Sequence, residues 1–194
     1  MSAAKKRIVV FASGQGTNLQ ALIDACKDGA LDAHIVGVVS HAPTAIALRR
    51  AEKVGIPTTF VPLPKRERAA WDAALAERVR VMEPDVIVLA GWMRVLGAAF
   101  LDHFPGRVLN LHPALPDDLP GLHAIERAWD EAQAGLRKKT GVMVHLAVPE
   151  VDAGPVVVME EVPIGAEFDA FETRMHAVEH RLVVEGVRRV LAGL

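Results

Sequence analysis

The stretch 7-RIVVFASGQGTNLQALIDACKDG-29 decides the fold class, because a glycine-rich turn joins a short apolar run to an amphipathic segment. The run at 7–13 predicts a strand, and the helical spacing that follows, closed by Gly29, predicts a helix. Glycines permit close backbone approach, and the N–H groups in the first turn of a helix attract anions. The turn therefore favours a phosphate site, with Thr17 or Asn18 as the helix cap. A tight turn that binds nothing is the alternative.

The same alternation of strand and helix continues along the chain. Further strands are predicted at 34–40, 58–63, 85–91 and 108–112, and further helices at 44–55, 66–83 and 97–104. A helix near 123–135, strand-like runs at 140–148 and 154–164, and a helix at 168–192 follow, and the pairing of the two runs is left open. Short connections predict an α/β fold in three layers, a Rossmann-like, mostly parallel twisted sheet between helices, in one domain over 1–194.

The composition of the chain indicates which classes of binding partner and which cellular compartment to expect. The chain has 194 residues, a net charge of -2 and one cysteine, Cys26. Basic residues are not in excess, which argues against a nucleic-acid partner. No apolar tract reaches the roughly 18 residues of a membrane-spanning helix, so no membrane partner is expected. A single cysteine allows neither an internal disulfide nor a zinc ribbon, which favours a cytoplasmic location.

Two polar residues interrupt an apolar strand in 106-GRVLNLHPALPDDLPGLH-123, where Asn110 and His112 stand two residues apart. Residues with this spacing on a strand point to the same side, and Pro113 holds His112 extended. An amide N–H and a protonated imidazole N–H together suit an oxygen that gains negative charge, as in acyl transfer. A polar pair that bonds only to loop carbonyls is the alternative.

A histidine that is cationic near neutral pH needs a carboxylate beside it, because an opposite charge raises its pKa. Asp152, in the connection 149-PEVDAGP-155, is the best candidate, with Glu150 as its competitor and a turn-capping role as the alternative. A different hypothesis is a metal hydrolase that uses His112, His145 and Asp152. The apolar neighbours of His145 instead favour a core histidine.

Several motifs together resemble those of the folate-dependent formyltransferases, in the order in which that family carries them. They are the SGQGTN turn, Ala-Gly-Trp-Met-Arg-Val-Leu at 90–96, Asn-Leu-His-Pro at 110–113, Pro-Gly-Leu-His at 120–123, Thr-Gly…Val-His at 140–145 and Asp-Ala-Gly-Pro at 152–155. The resemblance covers essentially the whole chain and narrows to the branch that formylates a phosphoribosylated glycinamide. It implies the formyltransferase fold, with a phosphate-binding half at 1–105 and a catalytic and folate-binding half at 106–194.

The resemblance implies transfer of the formyl group of 10-formyltetrahydrofolate to the amine of N1-(5-phosphoribosyl)glycinamide in de novo purine (IMP) biosynthesis. Asn110 and protonated His112 would stabilise a tetrahedral oxyanion, and Asp152 would raise the pKa of His112. The folate would be a co-substrate, no metal would be required, and the partners would be these small molecules. The assembly would be a monomer or a homodimer.

Binding residues also follow from the resemblance. Gly16, Thr17 and Asn18 match the turn that holds the substrate phosphate, and Glu179 matches a contact to the glycinamide substrate. The folate pocket is implied to include Arg68, Met93, Arg94, Val95, Leu96, Asn110, Val148, Pro149, Glu150, Val151 and Asp152.

The loop after His112 departs from the family pattern, because Pro116-Asp117-Asp118 stands where Leu-Pro-Lys is usual. Carboxylates that faced a phosphorylated substrate would repel it, so both aspartates are expected to face solvent. Met143 replaces a small hydroxyl residue, and the segment 129–139 is longer by a few residues.

Two other functions stay open. One is a formyltetrahydrofolate hydrolase, and the other is a non-catalytic nucleotide-binding module on the same sheet. We expect neither the N-terminal regulatory domain of the deformylases nor the C-terminal tRNA-binding domain of the methionyl-tRNA formyltransferases.

Overall fold

The structure, a computed structural model, describes residues 4–64 and 67–193. Its strands are β1 (Lys6–Phe11), β2 (Ala33–Ser40), β3 (Thr58–Phe60), β4 (Val86–Leu89), β5 (Val108–His112), β6 (Lys139–Leu146) and β7 (Val156–Pro163). They form one seven-stranded sheet in the order β3-β2-β1-β4-β5-β6-β7. The strands from β3 to β5 in this order pair in parallel, whereas β6 pairs antiparallel with both β5 and β7. The pairing that the sequence left open is therefore antiparallel.

Helices cover both faces of the sheet. They are α1 (Thr17–Lys27), α2 (Ile46–Lys53), α3 (Arg68–Arg80), α4 (Ala98–Leu101), α5 (Ala124–Gln133) and α6 (Phe168–Ala192). One core cluster takes buried residues from α1, α2, α5 and α6, and a second takes them from α3 and α4 on the opposite face. Every residue of β4 is buried, as expected for a central strand with both faces covered.

The strand order reverses at β1, which lies between β2 and β4. In open parallel sheets, ligands bind beyond the carboxyl ends of the strands at such a reversal. The turn after β1 and the segment after β4 lie side by side there, because the Ser13 N–H donates to the Gly91 carbonyl at 3.1 Å. The topology therefore places the glycine-rich turn next to residues 91–96.

The predicted α/β class is confirmed, with element bounds that agree within a few residues. β3 ends at Phe60, earlier than predicted, and Pro62 follows shortly after with no N–H to extend a ladder. The predicted start of the third helix, Arg66, lies outside the described residues. In the described part of the chain, no helix is both long and apolar enough to cross a membrane.

Gly186 lets α6 pack closely on β6, because a Cβ added there would lie 2.7 Å from Val144 Cγ1. We expect Gly186→Ala to lower the free energy of unfolding by about 1–3 kcal/mol through overpacking, despite the better helix propensity of alanine. Urea denaturation measures the change. Gly193→Ala, whose added Cβ has its nearest contact at 3.6 Å, is the control and should stay within about 0.5 kcal/mol of the parent. A stable Gly186→Ala protein would contradict the close packing.

Candidate active site

A cleft of about 510 Å³ lies at the carboxyl ends of β4 and β5. One wall is the segment 91–96 after β4, and another comes from the connection between β6 and β7. Asn110 and His112 reach the cleft from β5. The cleft therefore occupies the edge of the sheet where the topology predicts a ligand.

β5 aims Asn110 and His112 to one side of the sheet, as their spacing predicts. Leu109 and Leu111 point to the other side and belong to the core cluster under α1 and α6. The apolar side of β5 thus anchors the strand, and the alternation fixes the direction of both polar side chains.

Asp152 joins these two residues from the connection between β6 and β7. Its Oδ1 accepts from the Asn110 amide nitrogen at 3.0 Å, and its Oδ2 accepts from the Gly121 N–H at 2.8 Å. Asp152 has a φ of 54°, a left-handed conformation that non-glycine residues rarely adopt and that costs energy. Burial raises the pKa of Asp152, but the surrounding hydrogen bonds and imidazole rings lower it by more, so its pKa lies below the ordinary value.

His145 belongs to the same cluster, although the sequence favoured a core histidine there. It is buried and stands opposite Asn110 in the register of β5 and β6. Its Nδ1 lies 2.9 Å from the Leu146 carbonyl, so Nδ1 carries the hydrogen and Nε2 accepts from the Asn110 amide at 3.0 Å. Asp152 Oδ1 lies 3.7 Å from that Nε2. The cross-strand pairing with Asn110 is the signal that could have identified this residue.

His112 is buried between two acceptors. Nε2 lies 3.1 Å from the Leu119 carbonyl, and Nδ1 lies 3.4 Å from Asp152 Oδ2. Burial lowers the pKa of His112 below its ordinary value, and the Asp152 carboxylate and the Leu119 carbonyl offset this only in part. The expected raised pKa is therefore wrong for this structure. Asp152 acts in the predicted direction, but desolvation of the cation is the larger effect.

The amide of Asn110 also differs from the expectation. Both of its N–H groups have protein acceptors, since the nitrogen lies 3.0 Å from His145 Nε2 and 3.0 Å from Asp152 Oδ1. An oxyanion would therefore have to replace one of these acceptors. The bond to the His145 ring is the weaker of the two, because the bond to the Asp152 carboxylate is charge-assisted.

Most residues implied for the folate pocket line the cleft. They are Arg68, Met93, Arg94, Val95, Leu96, Asn110, Val148, Glu150, Val151 and Asp152. Pro149 is exposed and does not line it. Arg68 is held at the rim, because it pairs with Asp72 at 3.0 Å, donates to the Val95 carbonyl and lies 5.2 Å from the centre of the Trp71 ring.

The glycine-rich turn lies outside the lining of this cleft. Gly16 has a φ of 71° and is itself the N-cap of α1, without a side-chain cap, so the predicted capping by Thr17 or Asn18 is wrong. A Cβ on Gly16 would lie 2.7 Å from Ala47 Cα, so only glycine permits this contact with α2. The uncapped first turn of α1 leaves its N–H groups suited to an anion.

Glu179 is buried on α6, also outside the lining of the cleft. Its Oε2 lies 2.6 Å from His176 Nδ1. This hydrogen bond is the main reason why the pKa of His176 is raised. Glu179 is therefore a buried, paired carboxylate and not a solvated surface charge.

The unusual loop after β5 turns its two aspartates in different directions. Asp117 is exposed, as expected. Asp118 does not face solvent freely, because it forms a bidentate pair with Arg137 at 2.7 and 2.9 Å.

Met143 is buried opposite His112 in the register of β5 and β6. Within residues 4–64 and 67–193, no three His, Cys, Asp or Glu side chains are arranged to hold a metal ion.

Comparisons with known proteins bear on this cleft. A profile of the family described as formyl transferase matches residues 6–187. The phosphoribosylglycinamide formyltransferase of Schizosaccharomyces pombe is 40% identical over 199 residues, which cover 95% of this chain and 96% of that protein. The trifunctional purine biosynthetic protein adenosine-3 of Bos taurus is 36% identical over 97% of this chain and 19% of its own length.

A solved structure gives the same result for the fold. Glycinamide ribonucleotide transformylase 1 of Symbiobacterium toebii superposes with a TM-score of 0.88 at 36% identity, over 96% of this chain and 88% of that chain. The similarity therefore extends over the sheet, the glycine-rich turn and the cleft.

Burial and the Asp152 carboxylate have opposite effects on the pKa of His112, and NMR titration of the ring measures the result. Its pKa is expected below the ordinary value of about 6.5. Asp152→Asn removes the carboxylate that favours the cation, so the pKa of His112 should fall further. Glu160→Gln, a surface change, is the control and should leave it unchanged. A rise in the pKa of His112 in the Asp152→Asn protein would show that the carboxylate does not act as described.

Proposed function

The chain belongs to the formyl transferase family, and we propose that it transfers the formyl group of 10-formyltetrahydrofolate to the amine of N1-(5-phosphoribosyl)glycinamide in de novo purine biosynthesis. The observation that carries this proposal is the cluster of Asn110, His112 and Asp152 in a cleft whose lining is mostly apolar. Convergent donors in a sheltered site stabilise the charge that develops during acyl transfer. Relatives that match over most of their length are named for the same acceptor.

The reaction begins when the substrate amine attacks the formyl carbon on N10 of the folate. The carbonyl oxygen becomes an oxyanion, and we assign its stabilisation to Asn110 and His112. One Asn110 N–H leaves the His145 ring and donates to the oxyanion, which gives a stronger, charge-assisted bond. The His112 N–H that donates to the Leu119 carbonyl also donates to this oxyanion. Asp152 keeps both side chains in place.

A proton must also move, because the attacking amine loses one and N10 gains one as its bond to the formyl carbon breaks. Burial lowers the pKa of His112, which favours the neutral ring at rest. It can therefore accept a proton, directly or through water, as negative charge builds on the oxyanion beside it. The imidazolium faces Asp152 and can then return the proton to N10. No metal is needed for these steps.

In this proposal, one part of the chain binds the ribonucleotide and another binds the folate. Gly16, Thr17 and Asn18 hold the substrate phosphate at the start of α1, and Glu179 contacts the glycinamide ribonucleotide. The cleft-lining residues of 91–96 and 148–152, with Arg68, hold the folate. We also propose a cytoplasmic location, small molecules as the only partners, and a monomer or homodimer.

The assay combines purified protein with 10-formyltetrahydrofolate and N1-(5-phosphoribosyl)glycinamide. His112→Ala and Asn110→Ala should each lower kcat by about 10²–10³-fold, the usual loss for one oxyanion donor. Asp152→Asn should also lower kcat, since it removes the group that positions both donors. Near-normal kcat in His112→Ala would defeat the mechanism.

Controls separate the competing functions. Glu160→Gln, at a surface ion pair with Arg181, should retain parental activity. If the protein releases formate with water as the only acceptor and does not transfer the formyl group to the ribonucleotide, the hydrolase is favoured. Ligand binding without any turnover would favour the nucleotide-binding module.

Because the two substrates are proposed to bind to different parts of the chain, substitutions should affect the KM for the ribonucleotide and the KM for the folate separately. Thr17→Asp places a carboxylate in the first turn of α1, where the helix dipole stabilises it but the substrate phosphate is repelled. The KM for the ribonucleotide should rise at least about tenfold, with the folate KM unchanged. Val95→Asp, at the exposed rim of the cleft, should raise the folate KM selectively. A rise in the same KM for both variants would contradict the assignment.

A further inference from the structure

We propose that the ion pair between Asp118 and Arg137 is a positioning device that fixes the loop 116–121 and, through this loop, the ring of His112. Its predicted effect on turnover rests on the proposed function. Its effect on the ring of His112 does not.

The loop 116–121 touches two members of the catalytic cluster through its backbone. The Leu119 carbonyl lies 3.1 Å from His112 Nε2, and the Gly121 N–H lies 2.8 Å from Asp152 Oδ2. These two contacts set which nitrogen of His112 carries a hydrogen and how Asp152 is oriented. The position of the loop therefore decides the geometry of the cluster.

The loop cannot hold this shape by local preference alone. Asp117 has a φ of 61° and Leu119 a φ of 46°, both in the left-handed region. Non-glycine residues keep this conformation only where the surroundings hold them in it. The side chain of Leu119 is buried in the core, which anchors one side of the loop. A second anchor is needed for the preceding residues.

Arg137 provides that anchor. Its NH1 and NH2 donate to the two carboxylate oxygens of Asp118 at 2.7 and 2.9 Å, and its Nε donates to Glu131 at 2.7 Å. Only 16% of the Arg137 side chain is exposed. Bidentate pairs of this kind fix orientation, and the guanidinium lowers the pKa of Asp118, whose side chain is 31% exposed.

The pair also accounts for two departures from the family pattern. In the pattern that the resemblance implies, position 118 is a lysine and the segment 129–139, which carries Arg137, is shorter. Each departure supplies one partner of the same ion pair. A lysine at 118 would meet Arg137 as a like charge.

Other charged and titratable groups also face His112, and they must be separated from the pair. Asp152 faces it from the β6–β7 connection, His145 from β6, Asp118 from the loop, and Arg127 from α5. Arg127 also donates to the Pro120 carbonyl at 2.8 Å, so it contacts the same loop. All four side chains are retained when only Arg137 is changed, so the substitution removes no other charged or titratable group.

Arg137→Met separates positioning from charge, because the two effects on His112 have opposite signs. Loss of a nearby positive charge alone would raise the pKa of His112. Loss of the Leu119 carbonyl as an acceptor lowers it, since this hydrogen bond favours the cation. We therefore expect the pKa of His112, measured by NMR titration, to fall in Arg137→Met. Arg181→Met, which breaks the surface pair with Glu160, should leave it unchanged.

Turnover gives the second readout. Arg137→Met should lower kcat by about tenfold or more, with both KM values within about threefold, because misplaced catalytic groups slow chemistry more than binding. Arg137→Lys keeps the charge but forms one contact in place of two, so its kcat should be intermediate. If Arg137→Met does not fold, the titration and kcat of Arg137→Lys decide the question.

The outcomes separate this inference from the proposed function. A raised or unchanged pKa of His112 in the folded Arg137→Met protein overturns the positioning role, whatever the kcat. A parental kcat with a lowered pKa also overturns it. A lowered pKa in a protein whose parent transfers no formyl group supports the loop contact and rejects only the proposed function.

Discussion

The carboxylate of Asp152 is the interaction on which the site depends. It accepts hydrogen bonds from Asn110 on β5 and from the backbone of Gly121, and it faces His112 at 3.4 Å. A carboxylate that is largely removed from water is tolerated only when it is paired in this way. A buried donor that loses its acceptor costs about 1–3 kcal/mol, so removal of this one charge loosens a strand end and a loop together. The left-handed backbone of Asp152 is held in place by these bonds.

The same carboxylate sets the chemistry of His112, in competition with burial. Burial alone would keep the ring neutral, and the carboxylate alone would keep it charged. The result is a ring with a lowered pKa that faces an anion, so it can gain a proton when negative charge appears and lose it again afterwards. A fixed cation could not accept the amine proton, and an isolated neutral ring would stabilise an oxyanion poorly.

Local patterns in the sequence predicted the fold and the directions of the main side chains. Apolar runs separated by short connections gave the sheet, and the two-residue spacing placed Asn110 and His112 together. Asp152 was proposed as the carboxylate partner from the connection 149–155, and the resemblance to a family implied the same role, but periodicity could not show that a loop between antiparallel strands brings it to β5. The net pKa of His112, the cluster contact of His145 and the pairing of Asp118 with Arg137 depend on packing between distant segments. No local pattern records such contacts, and so these features were wrong or missing in the prediction.

The measurement that tests the central claim most directly is a double-mutant cycle on kcat/KM for formyl transfer. It treats the two oxyanion donors as one partner and compares Asn110→Ala/His112→Ala, Asp152→Asn and the combination of all three substitutions with the parent. If Asp152 acts mainly by holding Asn110 and His112, the combined variant should be no more than a few-fold slower than Asn110→Ala/His112→Ala, because residues that act as a unit are not additive. Losses that multiply in the combined variant would show that Asp152 acts independently of the two donors, and would contradict the account.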